Sequence, residues 1–185
     1  MKRPILFGFS RIVGALLTGA LLGAPAGCED APTYVDERVE RGLAMSPVQI
    51  RVTDEDRDLV GLGSYIVNAQ GACTDCHTCP TYAPGHNPFK GEEGQDNAVN
   101  FLAGGMAFGP IVSRDITPDE QGRPGGLTLE EFMNVMRTGE DPREAGRLLQ
   151  VMPWPVYGRM SANDLRAIYA YLSAIPHAEP GTCGG

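Results

Sequence analysis

The stretch GACTDCHTCP, from Gly71 to Pro80, places Cys73, Cys76, His77 and Cys79 within seven residues. Two thiols three positions apart, followed at once by a histidine, have the spacing of covalent haem attachment. The thiols add across the two vinyl groups of one haem, and the imidazole reaches the iron from the same side. A second pattern overlaps the first: Cys73, Cys76 and Cys79, with Pro80 behind them, resemble the start of an iron–sulfur run or a zinc site. The bacterial iron–sulfur run needs a fourth cysteine four residues on, where Ala83 stands, and it leaves His77 without a role. A zinc site made of Cys73, Cys76, Cys79 and Cys183 stays open as the weaker alternative. One covalent haem c is the favoured reading.

An iron held by His77 has a second axial position, and the group that fills it separates electron transfer from ligand chemistry. Met133 and Met136 fall on the inner stripe of an expected helix, where methionine usually fills a core. Met160 directly precedes an expected helix cap and can pack on Leu165 as a hydrophobic staple. His86 and His177 lie in polar or terminal stretches. Met152, in the QVMPWPVY segment stiffened by Pro153 and Pro155, is the expected distal ligand, because a strap entering the last helix can cross the open face of the haem. Met106, in AGGMAFG, is its rival. A His77 and Met152 pair raises the reduction potential and leaves no vacant coordination site.

Few regular elements are available to position these residues. Thr53-x-x-Asp56 resembles a capping box, and the pattern predicts a helix from near Thr53 towards Gln70 with Leu59, Leu62, Ile66 and Ala69 on one face. Gly61 and Gly63 interrupt it, which makes sense where another backbone approaches closely. From Pro80 to Gly126, fifteen of forty-seven residues are Gly or Pro and no period is sustained. A loop of that length needs something to fold around. Thr128-x-x-Glu131 and Gly139 bracket a helix with Leu129, Phe132, Met133 and Met136 inward. The last helix begins at Ser161 and ends before Pro176, with Leu165, Ile168, Tyr169 and Leu172 as its buried stripe. The expected fold class is all-α, with helices packed around one covalent haem and a long Gly/Pro-rich loop.

The N-terminus has the layout of an export signal over residues 1–27: Lys2, Arg3 and Arg11, an apolar run from Ile12 to Leu22, then Ala24-Pro25-Ala26-Gly27-Cys28. Gly27-Cys28 resembles a lipobox, although Pro25 stands where leucine is usual, and Ala24-x-Ala26 suits ordinary signal-peptidase cleavage, so Cys28 is read as a lipid anchor or, alternatively, as a free cysteine of a soluble exported protein. Residues 28–53 read as a tether, part of which can instead pack on the domain, and 54–185 as the haem domain. Losing the signal removes three of 15 basic residues and leaves 12 against 23 acidic ones, a net charge of −11. That balance argues against nucleic acid as a partner and favours proteins with a basic face. With Cys73 and Cys76 on haem and Cys28 lipidated, Cys79 and Cys183 remain as an even pair in an oxidising compartment, and a disulfide between them is expected.

The segments GSYIVNAQGACTDCH, SRDITPD, LTLEEFMNVMRTGEDP and VMPWPVYGRMSANDLRAIYAYLSAIP together resemble a class I c-type cytochrome domain over about residues 54–177. The subgroup they resemble comprises the cytochrome subunits of membrane-associated alcohol and sugar-acid dehydrogenases. The resemblance implies that Cys73 and Cys76 carry thioethers, that His77 is proximal and Met152 distal, and that the first and last helices cross closely, Gly61 and Gly63 against Tyr169 and Leu172. Two departures stand out: Asp115 replaces the usual asparagine, and there is one haem motif where such subunits often have two or three. Trp154 and Tyr157 line the haem or simply pack in the core, and Arg137 neutralises a propionate or is a solvated helix-end cation.

The function implied is single-electron transfer in the bacterial periplasm or on the outer face of the envelope, lipid-anchored through Cys28. The protein is then a carrier, not an enzyme in itself, working between a dehydrogenase or quinol-oxidising complex and an oxidase or other cytochrome. The alternatives are a peroxidase or gas-binding haem protein with a displaceable distal ligand, and a metal-stapled interaction domain built on Cys73, Cys76 and Cys79.

Overall fold

The computed structural model describes residues 34–183; the expected export signal and Cys28 lie outside them. The described residues hold six α-helices and one two-stranded hairpin. Helix α1 spans Tyr34–Met45, α2 Arg57–Tyr65, α3 Cys73–His77, α4 Leu129–Thr138, α5 Trp154–Tyr157 and α6 Ala162–Ala174. The hairpin pairs β1, Ala107–Phe108, with β2, Ile111–Val112.

Helices α1, α2 and α6 make the packed frame, and glycines set its spacing. A Cβ on Gly63 would stand 1.9 Å from the Ala167 carbonyl oxygen and 2.8 Å from Tyr171 Cβ. Gly63 therefore meets α6 at Ala167 and Tyr171 rather than at the expected Tyr169 and Leu172. Gly61 faces the other way, where an added Cβ would lie 2.8 Å from Val39 of α1. In return, Gly42 of α1 admits the Gly61 carbonyl, and Ser64 Oγ donates to the Gly42 oxygen at 2.6 Å. So α2 is clasped between two helices at backbone contact.

Helix α1 and the chain up to Arg51 were expected in the tether, yet they belong to the same compact unit. Val39 is buried, Val48 and Ile50 pack on the core, and the Arg51 amide donates to the Ala174 carbonyl at 2.9 Å. The charged side chains of Glu37, Glu40 and Arg41 sit on the outer face, where Glu40 forks to Arg57 of α2. One narrow apolar stripe was too little for periodicity to reveal.

Helix α2 also starts later than Thr53. Asp56 Oδ1 accepts from the Thr53 amide at 2.7 Å, but Asp56 itself is the N-cap and receives no reciprocal bond from its own helix. Beyond Tyr65 the chain widens into a π-turn over Ile66–Gln70, closed by the Gly71 amide donating to the Ile66 oxygen at 2.7 Å. The extra residue rotates the chain beyond Ile66, so Val67 is buried and Ala69, expected inside, is exposed.

Local capping chemistry placed α4 and α6 correctly. Both carry reciprocal capping boxes, Thr128 with Glu131 and Ser161 with Asp164, and α4 ends at Gly139 with φ 71°. Val135 replaces Leu129 on the inner face of α4, Leu129 being 37% exposed. The rings of Phe132 and Tyr169 join α4 to α6 edge to face at 5.5 Å. The segment after Met152 is a helical turn, α5, rather than extended, with Pro155 in its first turn, where proline is tolerated.

The long loop is held by backbone turns, side chains and isolated bridges. Buried Thr78 accepts from the Leu102 amide at 3.0 Å, and Thr78 bridges Gly104. The expected disulfide is present: Cys79 joins Cys183 with Cα atoms 5.5 Å apart. It draws the tail alongside the loop, where Asn100 Nδ2 donates to the Glu179 oxygen at 2.9 Å.

Candidate functional site

The π-turn ends in a sharp corner that aims the next helix inward. Ala72, the N-cap of α3, adopts φ 48°, a left-handed conformation that costs an L-residue about 1–2 kcal/mol. Changing Ala72→Gly is expected to stabilise the fold by about 0.5–1 kcal/mol, read from the denaturation midpoint; a loss of stability would contradict this corner.

After that corner, α3 presents Cys73, Cys76 and His77 on one wall of a cavity. The positions i, i+3 and i+4 share a helix face, so the sequence spacing becomes a cluster without further adjustment. Both thiols are free. Burial, with the neighbouring Cys76 thiol next, pushes Cys73 up to about 12, and burial with Asp75 raises Cys76. Both stay protonated at neutral pH, unlike the low-pKa thiolates of disulfide-exchange sites. Cys79 is committed to Cys183, so the four cysteines of the zinc alternative are not four free thiolates.

His77 is oriented by the loop. Its Nδ1 lies 2.7 Å from the Arg114 carbonyl oxygen, an acceptor only, so Nδ1 carries the proton and Nε2 is left with its lone pair for a metal. Desolvation lowers the His77 pKa, keeping the ring neutral as a ligand must be.

Opposite elements complete the cavity: Ile116 and Leu127 of the loop, Phe132, Val135 and Met136 of α4, Ile168 and Leu172 of α6, and Met152, Tyr157 and Met160 around α5. The walls are apolar, and three guanidinium-bearing residues, Arg114, Arg143 and Arg147, also border the space. Arg114 forks to the buried Asp141. An apolar slot with two thiols, an oriented imidazole, thioethers and cations fits a haem with its two propionates.

The expected residues separate here. Met152 borders the cavity with Cys73, Cys76 and His77, and so does Met160, which was expected only as a staple. Met106 does not line it; its amide donates to Ser113 Oγ beside the hairpin. Tyr157 lines the cavity and its hydroxyl donates to the Gly71 oxygen at 2.6 Å, tying α5 to the corner before α3. Trp154 does not line it. Its indole covers Gly139, which a Cβ would bring within 2.4 Å, and its N–H donates to the Leu149 oxygen at 3.2 Å. Arg137 bonds the Gly158 carbonyl, so it closes α4 on α5 rather than facing the cavity. Sequence reading missed Arg114, Asp141, Arg143 and Arg147, whose roles depend on a loop with no period.

A helical domain with a thiol–thiol–histidine cluster on the wall of an apolar cavity has the form of a c-type cytochrome. The chain resembles the cytochrome c subunits of alcohol, fructose and gluconate dehydrogenases. It is 30% identical over 133 residues to the cytochrome c subunit of alcohol dehydrogenase (quinone) from Gluconobacter oxydans, covering 70% of this chain and 24% of that protein. The fructose dehydrogenase cytochrome subunit of Gluconobacter japonicus is 31% identical over 130 residues, 68% of this chain and 23% of its own length. The gluconate 2-dehydrogenase cytochrome c subunit of Pantoea cypripedii is 32% identical over 113 residues, 61% and 22%. The chain thus spans about a quarter of the length of the curated relatives it matches. No protein-family model matches it.

Proposed function

We propose that this protein carries one covalent haem c and transfers single electrons in the bacterial envelope. The observation that carries the reading is His77, whose Nδ1 is committed to the Arg114 carbonyl while two free thiols and the thioethers of Met136, Met152 and Met160 border the same cavity. Cys73 and Cys76 would hold the haem covalently, and His77 and Met152 would be the ligands of its iron. When bound, the haem supplies a one-electron iron centre. The chain's own part is to hold it in an apolar slot, keep the proximal imidazole neutral and oriented, and exclude water with Phe132, Ile168 and Leu172.

The relatives' names support a dehydrogenase as a redox partner; in this reading the electrons come from it or from a quinol-oxidising complex and pass to an oxidase or another cytochrome. The protein is then a carrier and not the catalyst of a substrate's oxidation. Residues 1–27 direct export and Cys28 carries a lipid, so the haem domain works in the periplasm or at the outer face of the envelope. Among the described residues no helix is long and apolar enough to cross a membrane. The domain read as 54–185 is extended by α1, which packs on α2.

Met160 supports a second assignment of the distal ligand, because it borders the same cavity. The ferric protein is expected to show the weak far-red band of sulfur-bound iron, lost in Met152→Ala and kept in Met160→Ala and Met106→Ala. Loss in Met160→Ala alone moves the ligand eight residues on. A spectrum without that band in the parent protein favours a displaceable ligand and the peroxidase or gas-binding reading.

A further inference from the structure

Arg114 and Asp141 sit on the two segments that serve opposite sides of the cavity. Arg114 lies just past β2 and its backbone oxygen holds His77 Nδ1. Asp141 lies two residues past Gly139, at the start of the loop that leads to Met152. Their side chains form a fork, Nη1 to Oδ1 at 2.8 Å and Nη2 to Oδ2 beside it. The Asp141 side chain is 0% exposed, and from Pro142 to Leu148 every residue is exposed. Asp141 is therefore the one buried anchor of that arch.

It is also the arch's hub. Asp141 Oδ1 accepts from the Arg143 amide at 3.1 Å, the Asp141 amide donates to the Arg147 oxygen at 2.9 Å, and the Asp141 oxygen accepts from the Glu144 amide at 3.1 Å. The Leu149 amide then returns to the Gly139 oxygen at 2.9 Å.

We propose that the Arg114–Asp141 pair is a positioning device that ties the segment orienting His77 to the arch leading to Met152, so that His77 and Met152 would keep one spacing across the cavity. The inference rests on the haem reading of the cavity. An ion pair with one buried partner is a poor source of net stability, since desolvation offsets its attraction, but it is a good register device: Arg114 is 37% exposed, and its misplacement leaves the buried Asp141 carboxylate uncompensated. Its planar fork fixes orientation as well as distance. No apolar side chain between residues 142 and 148 is buried to do the same work.

The test titrates the ferric, haem-loaded full chain with imidazole, which competes with the distal thioether. Asp141→Asn, which keeps the shape and removes the charge, is expected to bind imidazole at least tenfold more tightly and to weaken the far-red band, with haem content per chain unchanged. Arg57→Gln, which breaks the exposed pair with Glu40 on α1 and α2, is expected to bind as the parent does. A folded Asp141→Asn protein with parental imidazole affinity overturns the inference, even if it melts earlier. If that variant does not accumulate, the double variant Arg114→Met with Asp141→Leu, which leaves no unpaired charge, is read in the same titration, and parental affinity there overturns it equally. A parent protein without covalent haem sinks the reading of the cavity and this inference with it; a normal parent spectrum with an unchanged Asp141→Asn sinks this inference alone.

Discussion

A chain carrying Cys73→Ala together with Cys76→Ala, matured in a bacterium that attaches haem outside its cytoplasm, is expected to hold no covalent haem, against one per chain in the parent. The reason lies in α3. Cys73 and Cys76 are the two free thiols among the described residues and stand one turn apart, while Cys79 is taken by Cys183. No third thiol in the described chain can substitute. Intact mass under denaturing conditions gives the result directly: covalent haem in the double variant contradicts the assignment, and two haems on the parent contradict the count. Stability should change as well. With no haem, Ile116, Leu127, Phe132, Ile168 and Leu172 border a space open to water, and a ligand bound only by the folded state no longer adds to its stability. The melting temperature should fall with the haem content.

Gly63→Ala is expected to cost about 3 kcal/mol or more, and Gly63→Val to prevent folding. An added Cβ would lie 1.9 Å from the Ala167 oxygen and 2.5 Å from its carbonyl carbon. These are backbone atoms inside a helix, so they have no rotamer into which to retreat. Helices α2 and α6 have to separate, and overpacking of a tight core costs about 1–3 kcal/mol even where side chains yield. Domain stabilities are about 5–15 kcal/mol, which a valine here exhausts. Gly85→Ala is the control: its φ of +79° strains alanine, but nothing lies within 4 Å of the new methyl. It should cost about 1–2 kcal/mol. Equal denaturation midpoints for Gly63→Ala and Gly85→Ala would refute the close crossing.

Capping boxes made α4 and α6 legible because their chemistry is confined to four successive residues, Thr128 to Glu131 and Ser161 to Asp164. Helix α1 was hidden by the opposite circumstance. Its inward face is Val39, Gly42 and Leu43, and what makes it a stable helix is a backbone groove on α2 that no local pattern announces. The π-turn at Ile66–Gln70 was equally invisible, since one extra residue per turn is offset by tertiary packing of Val67 against the core. The Cys79–Cys183 bridge was inferred from a count of cysteines, and its ends are 104 positions apart.

What the sequence by itself determined is the cluster of Cys73, Cys76 and His77, because three residues within five positions of one helix meet whatever the rest of the chain does. Tertiary structure alone decided which thioethers border their cavity. Met136, Met152 and Met160 do and Met106 does not, an outcome set by how α4, α5 and the hairpin fold over α3 from distant parts of the chain. It decided also that Arg114 reaches Asp141 across twenty-seven residues. Contacts of that range depend on where the Gly/Pro-rich loop closes, and the closure is settled by packing and buried hydrogen bonds, which leave no periodic trace in the order of residues.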